Sequence, residues 1–228
     1  MNVKKDLQKL ANPEKAKLLQ GFFKTGKGEY GEGDIFLGIN VPVQRKIAKK
    51  YRELKLNDIQ LLLNSKIHEH RLVALLILVD KYEKTKNKEI VDFYLSNTKN
   101  INNWDLVDLT AHKILGDYLV NKERSLLYNL ANSNDLWEKR ISMIATAAFI
   151  KNNDFKDALK IAEILLNDNH DLIHKAVGWM LREIGKKDQD TEETFLKKYY
   201  KQMPRTMLRY AIEKFEESKR QAYLKSEI

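Results

Sequence analysis

The chain contains no cysteine, only three prolines and nine glycines, and no long apolar run. Without cysteine there can be no disulfide, no thiolate metal site and no cysteine nucleophile, and the composition suits a reducing compartment. So few glycines and prolines in 228 residues argue against an all-β sandwich with its frequent tight turns. The longest aliphatic run, VALLILV at 73–79, is far too short to cross a bilayer. The opening MNVKKDLQKL lacks the apolar centre of a signal peptide. These absences lead us to expect a cytoplasmic protein with no membrane partner.

Leu, Ile, Ala, Lys and Glu are plentiful, which favours helix, and the 43% hydrophobic content is ample for a core. Lysine and arginine together number 41 against 32 acidic residues, a net charge of +9. A basic excess of this size favours polyanionic partners, nucleic acid first and acidic membrane surfaces second.

Residues 1–24 read as one or two helices, with Pro13 at a first helical position. The segment TGKGEYGEGD, 25–34, is a glycine-rich loop. It is not a phosphate-binding P-loop, because no Gly-Lys-Ser/Thr follows and no helix opens on it. FLGINVP, 36–42, leads into a helix begun by Pro42 and carrying Arg45, Lys46, Lys49 and Lys50. Beyond residue 55 the periodicity predicts helices at about 56–64, 68–84, 87–98, 103–120, 123–132, 136–151, 154–166, 170–186, 190–202 and 204–217. Set in register, His68, Trp104, Trp137, His170 and Met203 lie 36, 33, 33 and 33 residues apart, and apolar or small residues recur at matching positions behind them. Such a period marks stacked helical hairpins. Ankyrin repeats fit poorly, since their Thr-Pro-Leu-His turns are missing. The expected fold is all-α: an α-solenoid of HEAT-like hairpins, curved, with a basic concave face, as a single domain over 1–228.

Candidate functional residues cluster at four places. In NNWDLVD, 102–108, Trp104 and Asp108 stand one helical turn apart, so a flat ring and a carboxylate share a face. Asn102 and Asn103 are N-cap candidates, and Asp105 suits the first turn. LWEKR, 136–140, places Arg140 near the start of a helix. HKAVGWMLREIGKK, 174–187, carries Lys175, Trp179, Arg182, Lys186 and Lys187. The run after Pro42 is the fourth. Taken singly, each reads equally as a core aromatic or a solvated helix face. Taken together, they favour nucleic-acid binding. Phase alone does not join Asp108 to Trp179: in the repeat register they sit about 140° apart around equivalent helices. His170 and His174, four apart, could share a zinc, but no Glu completes a His-Glu-x-x-His pattern, so neither metal nor cofactor is expected.

Several stretches, in order, carry a family resemblance: NPEKA, FLGINVPVQRKIAKKY, NNWDLVD followed by LGDYL, WEKRISMIATAAF, HKAVGWMLREIGKK and MPRTMLRYAIEKF. With them the chain resembles the AlkD-like family of bacterial DNA alkylation-repair glycosylases, which are HEAT-like solenoids. The resemblance implies that Asp108 is the catalytic carboxylate and that Trp104 and Trp179 flank the lesion-bearing nucleotide. It also implies that Arg140 contacts the DNA backbone, with Lys175, Arg182 and Lys186 at further basic positions of the family; Arg45 and Lys46, in the basic run after Pro42, are DNA-binding candidates on charge alone. Phe22 stands where some members have a DNA-facing tyrosine, which removes a hydroxyl. The implied activity is removal of cationic N3- and N7-alkylated purines from duplex DNA by a monomer, without metal and without burying a flipped base. A non-catalytic binder of damaged or branched DNA on the same fold is the first alternative, and a protein-binding scaffold the second.

Overall fold

Twelve consecutive residues of one helix, 68–79, are buried, including four polar or charged ones at its start. A helix that is apolar on every side must be wrapped by others. In the computed structural model, which describes residues 2–228, this helix is the centre of the first of two compact units, divided after residue 110.

The first unit runs α1 (Asn2–Lys9), α2 (Pro13–Phe22), α3 (Val41–Lys50), α4 (Leu56–Leu63), α5 (His68–Thr85), α6 (Lys88–Ser96) and α7 (Trp104–Asp108). Helices α3, α4 and α6 all pack on α5. Asn12 caps α2 by accepting the Lys15 amide at 3.0 Å, with Pro13 in the first turn. The FLGIN segment is tied to α5 by the fully buried Glu69. Its carboxylate accepts the amides of Leu37 (2.9 and 3.0 Å), Gly38 (2.8 Å) and Ile39 (3.2 Å). A buried carboxylate held by three backbone donors is satisfied without a cation. The only bridge between extended residues, among those described, pairs Ile35 with Ile67 in parallel.

The second unit opens on a π-helical turn, His112–Gly116. It continues through α8 (Asp117–Leu119), α9 (Ser125–Ala131), α10 (Leu136–Ala145), α11 (Ala147–Lys151), α12 (Lys156–Ile164), α13 (Asp171–Gly185), α14 (Gln189–Tyr199), α15 (Arg205–Ala211) and α16 (Glu217–Lys225). Helix α13 is its organising element and packs on α10, α12, α14 and α15. Gly178 makes the α13–α15 approach possible: a Cβ there would run into the Met207 carbonyl and the Tyr210 side chain. Glu192 of α14 is buried in the space left by Gly185. Burial, with Glu193 beside it and Arg182 pulling the other way, pushes its carboxyl up to about 8.

The repeat register agrees with the helix starts. α5 begins at His68 and α7 at Trp104, while α10, α13 and α15 begin within two residues of Trp137, His170 and Met203. Two predicted segments are interrupted. The helix expected over 103–120 stops at Asp108 and resumes as the π-turn. The one expected over 136–151 is interrupted at Thr146, whose hydroxyl donates to the Met143 carbonyl at 2.7 Å. The C-terminal helix α16 was not anticipated. None of the described helices is long and apolar enough to cross a membrane.

Candidate nucleic-acid interface and its acidic centre

Helix α7 spans only five residues, too few to be stable without tertiary support. Its start is capped by Asn103, whose side chain accepts the Trp104 amide at 2.8 Å. The glycine-rich loop packs beside that cap: a Cβ at Gly31 would meet the Phe23 carbonyl and the Asn103 amide nitrogen. The loop's own amides are turned inward, Gly26 donating to Glu29 and Gly28 to Glu32, each at 2.8 Å. It therefore buttresses α7 and offers no anion cradle of the P-loop type.

Trp104 is half-buried. Its ring stacks on Phe23 (centroids 5.0 Å apart, planes at 11°) and meets Phe22 edge-on at 5.8 Å. Phe23 stacks in turn on Phe36 at 4.9 Å. Offset stacks and edge contacts of this kind fix ring orientation as well as burying area. Phe22 itself is 63% exposed. It joins the site as a ring wall, without the hydroxyl a tyrosine would bring.

Asp108 closes α7 and is half-buried, whereas Asp105 is buried. The Asp105 Oδ2 lies 2.8 Å from His68 Nε2, and its Oδ1 accepts the Leu106 amide at 2.9 Å. On the other side of the imidazole, Nδ1 is 3.2 Å from Asp34 Oδ2, which also accepts from Arg71 at 2.6 Å. Of the two α7 carboxylates, Asp105 is committed to the interior. Near Asp108, the Tyr94 and Thr110 hydroxyls are 3.1 Å apart, and Thr110 donates to the Leu106 carbonyl at 2.5 Å, which fastens the end of α7. Burial above all, opposed by the Thr110 hydrogen bond and assisted by the Asp108 charge, pushes the Tyr94 phenol up.

In the second unit, Lys175, Trp179, Arg182 and Lys186 follow one another at intervals of four, three and four, and form a single stripe on α13. The opposite face buries Ile173, Ala176, Val177, Met180, Leu181 and Ile184. Trp179 lines a cavity of about 380 Å³, floored by Ile144, Ala147, Ile150 and Met180 and rimmed by Lys151, Lys186 and Lys187. Its indole nitrogen donates to Glu183 at 3.1 Å, and Lys186 pairs with the same carboxylate oxygen at 2.6 Å. Lys175 pairs with Asp171 at 2.6 Å, and Arg182 with Glu213. Arg45 and Lys46 are exposed on α3 in the first unit.

Arg140 departs from expectation. It is 4% exposed and donates to the Leu172 carbonyl in the first turn of α13. The resemblance implied a DNA-backbone contact. In this structure the guanidinium instead holds α10 to α13. His170 and His174 also have local partners. His170 Nδ1 accepts the Leu172 amide at 3.1 Å, and His174 Nε2 lies 2.5 Å from the Asp168 carbonyl oxygen. Sequence reasoning missed Phe23, Phe36, His68, Asp34 and Glu183. Only Glu183 carried a signal, standing four residues after Trp179.

The tryptophan–aspartate turn in one unit and the tryptophan-bearing stripe of basic residues in the other are the candidate nucleic-acid contacts of a helical protein. The sequence profile of the DNA alkylation repair enzyme family matches residues 3–215, and the chain belongs to that family. Its fold is similar to a solved structure described as a predicted DNA alkylation repair enzyme from Enterococcus faecalis. That likeness has a TM-score of 0.71 and 18% identity, covering 90% of this chain and 96% of that one. It is also similar to smu.31 from Streptococcus mutans UA159, with a TM-score of 0.54 and 18% identity over 94% and 97% of the two chains. The fold is thus of the α-solenoid class expected from the repeat register. No curated protein matches the chain.

Proposed function

We propose that this chain is a DNA glycosylase that hydrolyses the N-glycosidic bond of cationic N3- and N7-alkylated purines in duplex DNA, with Asp108 as the catalytic carboxylate. The observation that carries this reading is the division of labour on α7. Asp105 is buried against His68, Asp108 sits at the half-buried end of the helix, and Trp104 is held one turn away by two phenylalanines.

The chemistry asks little of such a site. An alkylated purine already carries positive charge and departs as a neutral base, so no general acid is needed. Cleavage of the bond from C1′ to the base nitrogen builds cationic character on the deoxyribose. A nearby carboxylate stabilises that charge and orients the water whose oxygen bonds to C1′, and the water's proton passes to the carboxylate and on to solvent. The π face of Trp104, one turn from Asp108, favours cationic character against it. The basic residues of α3 and α13, together with Phe22 at the aromatic wall, hold the duplex without reading its sequence. Family membership supports DNA alkylation repair in general, and the α7 geometry supports this particular reaction within it.

Asp108→Asn tests the assignment. Release of 7-methylguanine from a methylated duplex should fall at least about 100-fold while duplex affinity stays within about twofold. Wild-type release by this variant would remove Asp108 from the mechanism. A non-catalytic binder of damaged or branched DNA is the second reading, favoured by the burial of Arg140 and by phenylalanine at position 22. That reading predicts tight duplex binding with no free base from the wild-type protein.

A further inference from the structure

We propose that His68 is a positioning residue for base excision, which through Asp105 fixes the orientation of α7 and with it the Trp104 ring and the Asp108 carboxylate. The inference rests on the reading that α7 carries the catalytic group.

Two independent routes connect His68 to α7. The first is polar. Nε2 meets Asp105 at 2.8 Å and Nδ1 meets Asp34 at 3.2 Å. With a carboxylate at each ring nitrogen, only the imidazolium donates on both sides. Arg71 completes the group, bonded to Asp34 at 2.6 Å and to the Ser65 carbonyl at 2.8 Å. Two buried carboxylates then face two buried cations, and the cluster is neutral. The second route is aromatic. His68 stacks on Phe36 at 4.5 Å, Phe36 on Phe23 at 4.9 Å, and Phe23 on Trp104 at 5.0 Å. Displacing the imidazole therefore disturbs α7 at both Asp105 and Trp104.

The groups facing His68 are Asp34 from the loop, Asp105 from α7, Arg71 from its own helix, and the rings of Phe23 and Phe36. Burial disfavours the charged imidazole. Asp105, then Asp34, outweigh burial and Arg71, and raise its pKa from 6.5 to about 9. At 1% exposure the ring does not reach substrate. It acts through Asp105. Loss of its proton would leave two buried carboxylates with Arg71 alone, and the Asp105 end of α7 would be released.

The test has one readout tied to excision and one that is not. In a protein with Trp137 and Trp179 replaced by phenylalanine, Trp104 emission should change with a midpoint near pH 9. The same protein carrying His68→Gln should show no such transition. A flat titration, or one that survives His68→Gln, overturns the proposal. In otherwise wild-type protein, His68→Gln should slow single-turnover release of 7-methylguanine about tenfold and leave duplex affinity within about twofold. Adding Asp105→Asn should cost little more, because the two residues act as a unit. A wild-type rate in His68→Gln, or additive losses in the double variant, overturns it. Should His68→Gln fail to fold, the wild-type titration and the Asp105→Asn rate decide. Should the wild-type protein release no base, the glycosylase reading fails, and the emission titration still reads the coupling of His68 to α7.

Discussion

Helices α7 and α13 hold their candidate side chains in opposite ways. Helix α7 is five residues long and is held from behind by stacked rings and a buried charge cluster. Helix α13 is fifteen residues long, is held by its apolar face, and projects Lys175, Arg182 and Lys186 into ion pairs with surface acids. Exposed pairs, such as that of Lys186, contribute roughly 0–1 kcal/mol and can exchange partners when a phosphate arrives, while Arg182 is the most enclosed of the three cations. A buried cluster cannot exchange partners cheaply, because each unpaired charge would lose its solvation. The first region is built for fixed geometry, the second for adaptable contact with a polyanion.

If that contrast is right, the largest effect on rate should come from α7. Trp104→Ala should lower 7-methylguanine release by about 100-fold in single-turnover assays, with duplex affinity changed only a few-fold. A loss confined to affinity would make α7 another binding surface. The complementary experiment replaces Lys175, Arg182 and Lys186 with glutamine. Affinity for undamaged and methylated duplex should fall together, and the slope of log K against log salt should shrink by about 0.9 per lost phosphate contact. The rate at saturating protein should barely move. An unchanged salt slope would detach the α13 stripe from DNA.

Smaller effects probe the hidden face of α13. Gly178→Ala forces a methyl against the Met207 carbonyl and should destabilise the second unit by about 1–3 kcal/mol in denaturant melts. A pH effect accompanies it. Glu192 has its folded pKa raised from 4.5 to about 8, so the folded state keeps a proton that the unfolded state releases. Stability is therefore lost as pH rises from about 4.5 towards 8 and levels off above it. Glu192→Gln should flatten that decline in thermal melts. A parallel decline in the variant would assign it to other groups. His68 has a higher folded pKa. Its stabilising contribution is complete below 6.5 and is lost as pH rises through about 9.

Much of the fold was legible because helical periodicity is local. The helix over 68–84, the register of helix starts and the stripe at 175, 179, 182 and 186 all follow from spacing. The burial of Asp105, beside a half-buried Asp108, was not visible in spacing. It depends on His68, 37 residues away, and on Asp34, 34 residues before His68. The burial of Arg140 was hidden for a related reason. An arginine near a helix start looks alike in sequence whether it faces solvent or, as here, the carbonyl of Leu172 in a helix 32 residues on. The break after Asp108 escaped because Leu109 and Thr110 carry no glycine or proline. The hydroxyl of Thr110 turned back on the Leu106 carbonyl is the feature that accompanies it.

The most direct test of the account compares two duplexes, one carrying 7-methylguanine and one carrying uracil, incubated with the wild-type protein and assayed for free base. The account predicts release of 7-methylguanine and essentially none of uracil, because one carboxylate with no general acid can expel only a base that is already cationic. Robust uracil release, or no free base from either duplex, would contradict it.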